Sequence, residues 1–340
     1  MTAFFCGEGW FNTKKSWFNG KSGGRIWKVI IFDISLQRVA IECLGKECLI
    51  RKFIVMYELK YYLDTNAVRS FSPQLKRCGE MGAFTSIWTI CEMLGRVLKN
   101  PKDFDKIQKN LKEVKDSGIC VATKLPMELH YDAFSIIPSV EPFSNEILKL
   151  VIILINAKSL EDFLIRVSLH SLDGIVKFIK GIDKATAYLN ESLQKQFDTS
   201  MSSKESIKEY NEFVANEDKQ LTHKRLVEYF VDGFIENSSD VRKMGVCLGL
   251  TYEQFRQFLC DNYNGSIDIA IRVITCFVNK KVSYRDRCAK NDDIDMMHLY
   301  YLQDDIMLVT NDRMLLENVN AEFPDRAISN EDFKKIIDLV

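Results

Sequence analysis

Apolar and aromatic side chains crowd residues 57–63, and the run ends in Asp64-Thr65-Asn66, three turn formers, so a strand leading into a turn is expected there. Residues 85–98 repeat Ile87, Cys91, Leu94 and Leu98 at helical spacing behind Thr85, which predicts a capped amphipathic helix. After Pro101 comes a Lys-rich helix over 104–115, then a short β-prone piece at 119–122.

From about 145 to 280 the pattern is almost wholly helical. The periodicity predicts helices at 145–156, 160–169, 172–179, 184–197, 204–215, 223–235, 252–260 and 267–278. No proline falls between Pro142 and Pro324 to interrupt them. The α/β pattern then returns: a helix over 292–303, a buried strand at 306–309, the exit turn Thr310-Asn311-Asp312, and a last helix over 331–339 behind a Ser329 cap. Neither end segment holds enough strands for a sheet of its own. The simplest architecture is one sheet built from both ends, with the helical block inserted between them.

The chain has 340 residues, 46% of them hydrophobic and 27% charged, which is ordinary for a globular protein and excludes collagen-like and disordered classes. A formal charge of −1 argues against a surface that is basic throughout, while leaving room for a local basic groove. Ten cysteines without a C-x-x-C pair, beside four histidines, argue against a zinc ribbon. The longest apolar run, 148–157, is too short to span a bilayer, and no leader pattern opens the chain. A reduced cytoplasmic protein is the expectation. Residues 1–55 stand apart, with Trp10, Trp17 and Trp27 and with nine Lys and Arg against four Asp and Glu. They read either as a basic, β-rich appendage that helps hold nucleic acid or as a translated region upstream of a start at Met56.

Candidate chemistry lies in four carboxylates. Asp64 and Asp312 each close a strand, and in an open parallel sheet ligands sit beyond the carboxyl ends of the strands. Asp295 shares an expected helix face with Leu299 and Leu302, and Glu92 lies beside Trp88 and Gly95, where an uncompensated charge is expensive to bury. Taken singly, each has a blander role: Asx-turns for Asp64 and Asp312, a first-turn acid for Asp295, a solvated glutamate for Glu92, a packing or hydrogen-bonding histidine for His298. Gathered, they would repel one another unless a divalent cation neutralised them, and an oxygen-only set selects a hard ion such as Mg²⁺ or Mn²⁺.

Asp64-Thr65-Asn66 after a strand, Glu92 six residues after Ser86 in a helix, Asp295-x-x-His298 opening a helix and Thr310-Asn311-Asp312 after a strand together resemble the PIN-domain family. The resemblance covers residues 56–125 and 285–340, with 140–284 as a helical insertion longer than a compact PIN domain needs. It implies a three-layer α/β/α fold around a central, mostly parallel sheet, and a metal-dependent endoribonuclease. Asp64, Glu92, Asp295 and Asp312 would then be catalytic and would hold one or two Mg²⁺ or Mn²⁺ ions. Asn66 and Thr310 would orient the carboxylates, Asn311 would support them, and Asp292 and Asp293 would be the substitutes for Asp295 if the helix started a turn away. RNA would be the substrate, and the family's toxin members imply a protein inhibitor and a homodimer. The alternatives are a catalytically inactive PIN-like module that binds RNA or protein, and a phosphatase-like or DNA-directed enzyme using the same ions. The Lys-rich stretch at 106–115 is the expected basic rim, or else a solvated helix face.

Overall fold

The computed structural model describes residues 60–136, 143–182, 219–237, 239–284, 289, 292–303 and 305–339. The expectations for residues 1–55 and for helices at 184–197 and 204–215 lie outside these residues.

Strand β1 (Tyr61–Leu63) is followed by helices α1 (Thr65–Ser70) and α2 (Leu75–Glu80), then by β2 (Ala83–Ser86). Helices α3 (Ile87–Lys99) and α4 (Phe104–Ser117) lead to β3 (Cys120–Ala122). The helical stretch then runs through α5 (Pro126–Ala133), α6 (Ser144–Ile155), α7 (Leu160–Leu169) and α8 (Asp173–Gly181). It continues with α9 (Lys219–Asn237), α10 (Ser239–Cys247), α11 (Tyr252–Asn262) and α12 (Asp268–Tyr284). Helix α13 (Asp292–Met296) passes into a 3₁₀ segment, Met297–Tyr301. The chain closes with β4 (Met307–Val309), α14 (Arg313–Glu322), β5 (Ala327–Ile328) and α15 (Asn330–Leu339).

Among the described residues the five strands make one sheet in the order β3-β2-β1-β4-β5, parallel throughout. Residues 61–122 and 307–328, on either side of the helical stretch, therefore build the same sheet. Because strand side chains alternate, Tyr61 and Tyr62 face opposite sides. The Tyr61 ring lies 4.9 Å from Phe333 of α15, whereas Tyr62 stacks on Tyr301 at 5.2 Å and lies 5.2 Å from Phe84. Both faces of the central strand are covered, as a buried parallel sheet requires.

Two expectations need correction. The helix expected from Thr85 begins later, because Ala83–Ser86 pairs as β2 with β1 and β3. Ser86 is the cap, accepting the Thr89 N–H at 3.3 Å, while Thr85 donates to the Leu63 carbonyl at 2.9 Å. The helix expected over 292–303 is α-helical only through Met296, then 3₁₀, and Leu302 is already extended. Residues 296–302 are buried throughout, and the Leu302 N–H closes on the Leu299 carbonyl at 3.1 Å, the three-residue bond that tightens a helix end. Helices α1, α2, α5, α10 and α14 and strands β2 and β5 were not anticipated, being short or weakly periodic.

The helical stretch is packed onto the sheet's own helices. Helices α6 and α8 lie against α3, and α5 and α12 lie against the 3₁₀ segment. Gln108 of α4 donates through Nε2 to the carbonyls of Leu154, Ile155 and Ala157 at 2.7–3.3 Å, satisfying the exposed carbonyl end of α6. Arg272 of α12 pairs with Glu322 of α14 at 3.0 Å and lies over the Phe323 ring. His130 of α5 sits among Phe134, Phe230, Phe234 and Tyr300, and burial pulls it down to about 3, so the ring is neutral at physiological pH.

Candidate functional site

Strand order reverses between β1 and β4. The chain steps outward from β1 to β3 on one side, then returns to β4 on the other, so the carboxyl ends of β1 and β4 form the topological switch point. Leu63 pairs with Val309 in register, which sets Asp64 beside Thr310. Asp64 caps α1: its Oδ1 accepts the Ala67 N–H at 2.7 Å, and its Oδ2 accepts the Thr310 hydroxyl. Asp312 caps α14 in the same way, with Oδ1 accepting the Leu315 N–H at 2.8 Å. The Asp312 N–H in turn donates to Thr310 Oγ1 at 2.9 Å, so one hydroxyl joins the two strand ends. Each cap is worth about 1 kcal/mol, and each carboxylate gains from the helix dipole beside it. The bland roles of Asp64 and Asp312 are real, and they also fix the two acids in place.

Glu92 arrives from α3. Its Oε2 accepts the Thr65 hydroxyl and meets His298 Nε2 at 2.9 Å. The other imidazole nitrogen, Nδ1, lies 2.6 Å from the Tyr62 hydroxyl, which is 2.7 Å from Ser86 Oγ. Asp295, one turn before His298, is partly buried beside this network.

The electrostatics join the four acids into one set. Burial raises Asp295, the negative charges of Glu92, Asp312 and Asp64 raise it further, and His298 only partly opposes them, so the carboxyl is pushed up to about 8. Burial likewise raises Asp64, with His298, the Thr310 hydroxyl and the Ala67 N–H pulling the other way. For His298 burial acts to lower the pKa, but Glu92, Asp64 and Asp295 overcome it and raise it. Burial holds the Tyr62 phenol far above its ordinary range. Glu92, Asp312 and Asp64 thus all bear on the charge of Asp295 from around the carboxyl edge of the sheet.

The supporting residues sort differently. Thr310 orients both strand-end aspartates, as expected. Asn66 is exposed, and it is Thr65 that donates to Glu92. Asn311 uses its Oδ1 to accept the Asn330 N–H at 3.1 Å, which ties α15 to the strand end instead of serving the acids. Asp292 folds back to accept the Ala289 N–H at 2.8 Å, while the charge coupling runs through Asp295. The lysines at 106, 109, 112 and 115 lie on the exposed face of α4. Sequence reasoning missed Tyr62, Thr65 and Ser86. The one local signal for Tyr62 was its place two residues before Asp64, on the same strand face.

A hard divalent cation fits the donor chemistry of this cluster. Its acids supply oxygen ligands, and a carboxyl held near 8 marks negative charge that a cation would relieve. Among the described residues, however, no three His, Cys, Asp or Glu side chains converge into a ready-made metal group. Thr310, Thr65, His298 and two backbone N–H groups hold several of the oxygens. Glu92 Oε1 and Asp312 Oδ2 have no hydrogen-bond partner among those residues. No helix among them is long and apolar enough to cross a membrane.

Comparison with known proteins assigns no family: no family model, no curated protein and no solved structure matches the chain.

Proposed function

We propose that the chain is a PIN-like, Mg²⁺- or Mn²⁺-dependent endoribonuclease of the cytoplasm. The observation that carries this reading is the coupling of Asp64, Glu92, Asp295 and Asp312, drawn from two distant stretches of chain, at the switch point of a parallel sheet. Those four acids would hold the ion, with Thr310 and Thr65 orienting Asp64 and Glu92 through their hydroxyls. A bound Mg²⁺ or Mn²⁺ supplies activation of a water and charge stabilisation at a phosphate. The substrate is RNA, and the reading extends to a toxin-like enzyme with a protein inhibitor and a homodimeric state.

The test is metal-dependent cleavage of single-stranded RNA, structured RNA and DNA by the wild type, Asp64→Asn and Asp312→Asn. Asparagine is as good a helix cap as aspartate, so these variants stay folded and lose activity by about 100-fold or more. Cleavage that continues undiminished in both rejects the assignment. Preference for DNA corrects the substrate.

A second reading, an inactive PIN-like module that binds RNA or protein, is favoured by one observation: among the described residues no three potential ligands converge, while structural hydrogen bonds already hold several of their oxygens. Calorimetry with Mn²⁺ separates the two. The nuclease binds the ion and its Asp64→Asn variant binds it far more weakly, whereas the inactive module shows no difference.

A further inference from the structure

The four acids are not held in the same way. Asp64 and Asp312 are locked by backbone N–H groups at the starts of α1 and α14. Glu92 lies on the second turn of α3 at the end of a longer side chain and has no such lock. Both of its contacts, the Thr65 hydroxyl and His298 Nε2, fall on Oε2, and they leave Oε1 directed by the same restraint.

His298 is itself gripped at both ends of its ring, by Glu92 at 2.9 Å and by Tyr62 at 2.6 Å. The Tyr62 hydroxyl continues to Ser86 Oγ, which caps the helix that carries Glu92. Helix α13, which runs directly into the 3₁₀ segment that bears His298, is fastened to α3 as well. Trp88 Nε1 donates to the Ile294 carbonyl at 3.1 Å, and Trp88 precedes Glu92 by one turn as Ile294 precedes His298. Two clamps one turn apart therefore fix the separation and register of the two segments. Tyr62 and His298 are almost completely buried, and a buried polar string is costly unless every member is satisfied. An apolar pair would fill the same space at lower desolvation cost, so packing alone does not account for this choice of residues.

We infer that Tyr62 and His298 are positioning residues that hold Glu92 Oε2, so that Oε1 is presented to a divalent cation beside Asp295, Asp64 and Asp312. With both ring nitrogens engaged, His298 is not itself a ligand. The inference rests on reading the cluster as a metal site, and it names the part of the fold that aims one ligand.

The test compares full-length wild type, Tyr62→Phe, His298→Gln and His298→Leu. The readouts are the Mn²⁺ dissociation constant by calorimetry, and kcat and KM on a single-stranded RNA. Loss of a partner that orients a ligand typically weakens metal affinity by about 10–100-fold, and that loss is expected for His298→Leu, with kcat falling and KM for RNA unchanged. His298→Gln keeps an N–H for Glu92 and is expected to recover most of the affinity. Tyr62→Phe removes a single hydroxyl without changing shape, stays folded, and is expected to weaken Mn²⁺ binding several-fold, so the inference stands or falls on it should His298→Leu fail to fold. Wild-type affinity in Tyr62→Phe, or equal impairment by Gln and Leu, overturns the positioning role alone. A wild type that binds no Mn²⁺ overturns the metal-site reading, and the positioning role with it.

Discussion

Thr310 donates its hydroxyl to the carboxylate of Asp64, 246 positions away in sequence. The bond spans neighbouring parallel strands at the one place where the sheet's order reverses, and the same hydroxyl accepts the Asp312 N–H. A single small side chain thereby holds the aspartates of two separate strand ends in one cluster.

Asp312 does two jobs that substitution can separate. Asp312→Ala loses the cap on α14 and should cost about 1 kcal/mol in urea unfolding. Asp312→Asn keeps the cap and removes a charge that bears on Asp295, so its stability should match or exceed the wild type. A fall as large as that of the alanine variant would show that the cap is not what Asp312 contributes to the fold.

Asp295 should make the metal-free protein less stable as pH rises. Its folded pKa of about 8 lies above the ordinary 3.8, so between those values the folded state keeps a proton that the unfolded chain has released. The contribution is complete below about pH 4, falls through the window and is gone above about pH 8. Asp295→Asn should therefore exceed the wild type by about 1–2 kcal/mol at pH 8.5, after allowance for solvent screening, and match it near pH 4. Urea titrations at the two pH values check this. In the wild type, added Mg²⁺ should recover part of the loss at pH 8.5.

Gln108 anchors the carboxyl end of α6 to α4 by three carbonyl contacts. Gln108→Ala leaves those carbonyls without their donor and should cost about 1–3 kcal/mol. Gln108→Glu should cost more, since a carboxylate repels carbonyl oxygens. Thermal unfolding of the pair gives the order, and a reversed order would deny Gln108 its capping role.

Gly95 marks the close approach of α3 and α8. A Cβ there would lie 3.5 Å from Ile179 Cγ2, an ordinary contact. Gly95→Ala should thus be tolerated, and its better helix propensity should raise stability by up to about 1 kcal/mol. Gly95→Leu would wedge the helices apart and should cost about 1–3 kcal/mol. Denaturant midpoints for the two variants should move in opposite directions.

Local pattern was enough where an element carries its own period and its own caps. Leu160–Leu169 could be read at both ends, and Ser329 could be read as the cap of the last helix, because the first is amphipathic and the second accepts the Asp332 N–H within one turn. The α/β character could be read in the same way, as could the four carboxylates as separate strand-end and helix residues, whereas the single sheet built from two segments followed from there being too few strands in either one, and its mostly parallel order from the family resemblance. Tertiary structure decided the rest. Thr85 and Ser86 are adjacent hydroxyls that can each cap a helix, and only pairing with β1 and β3 settles which one caps α3. Asn66 and Thr65 are equally plausible partners for an acid until α3 delivers Glu92 to one of them. The string from Ser86 through Tyr62 and His298 to Glu92 has no sequence signature, because hydrogen bonds between residues far apart in the chain depend on how strands and helices dock, and local periodicity carries no record of that docking.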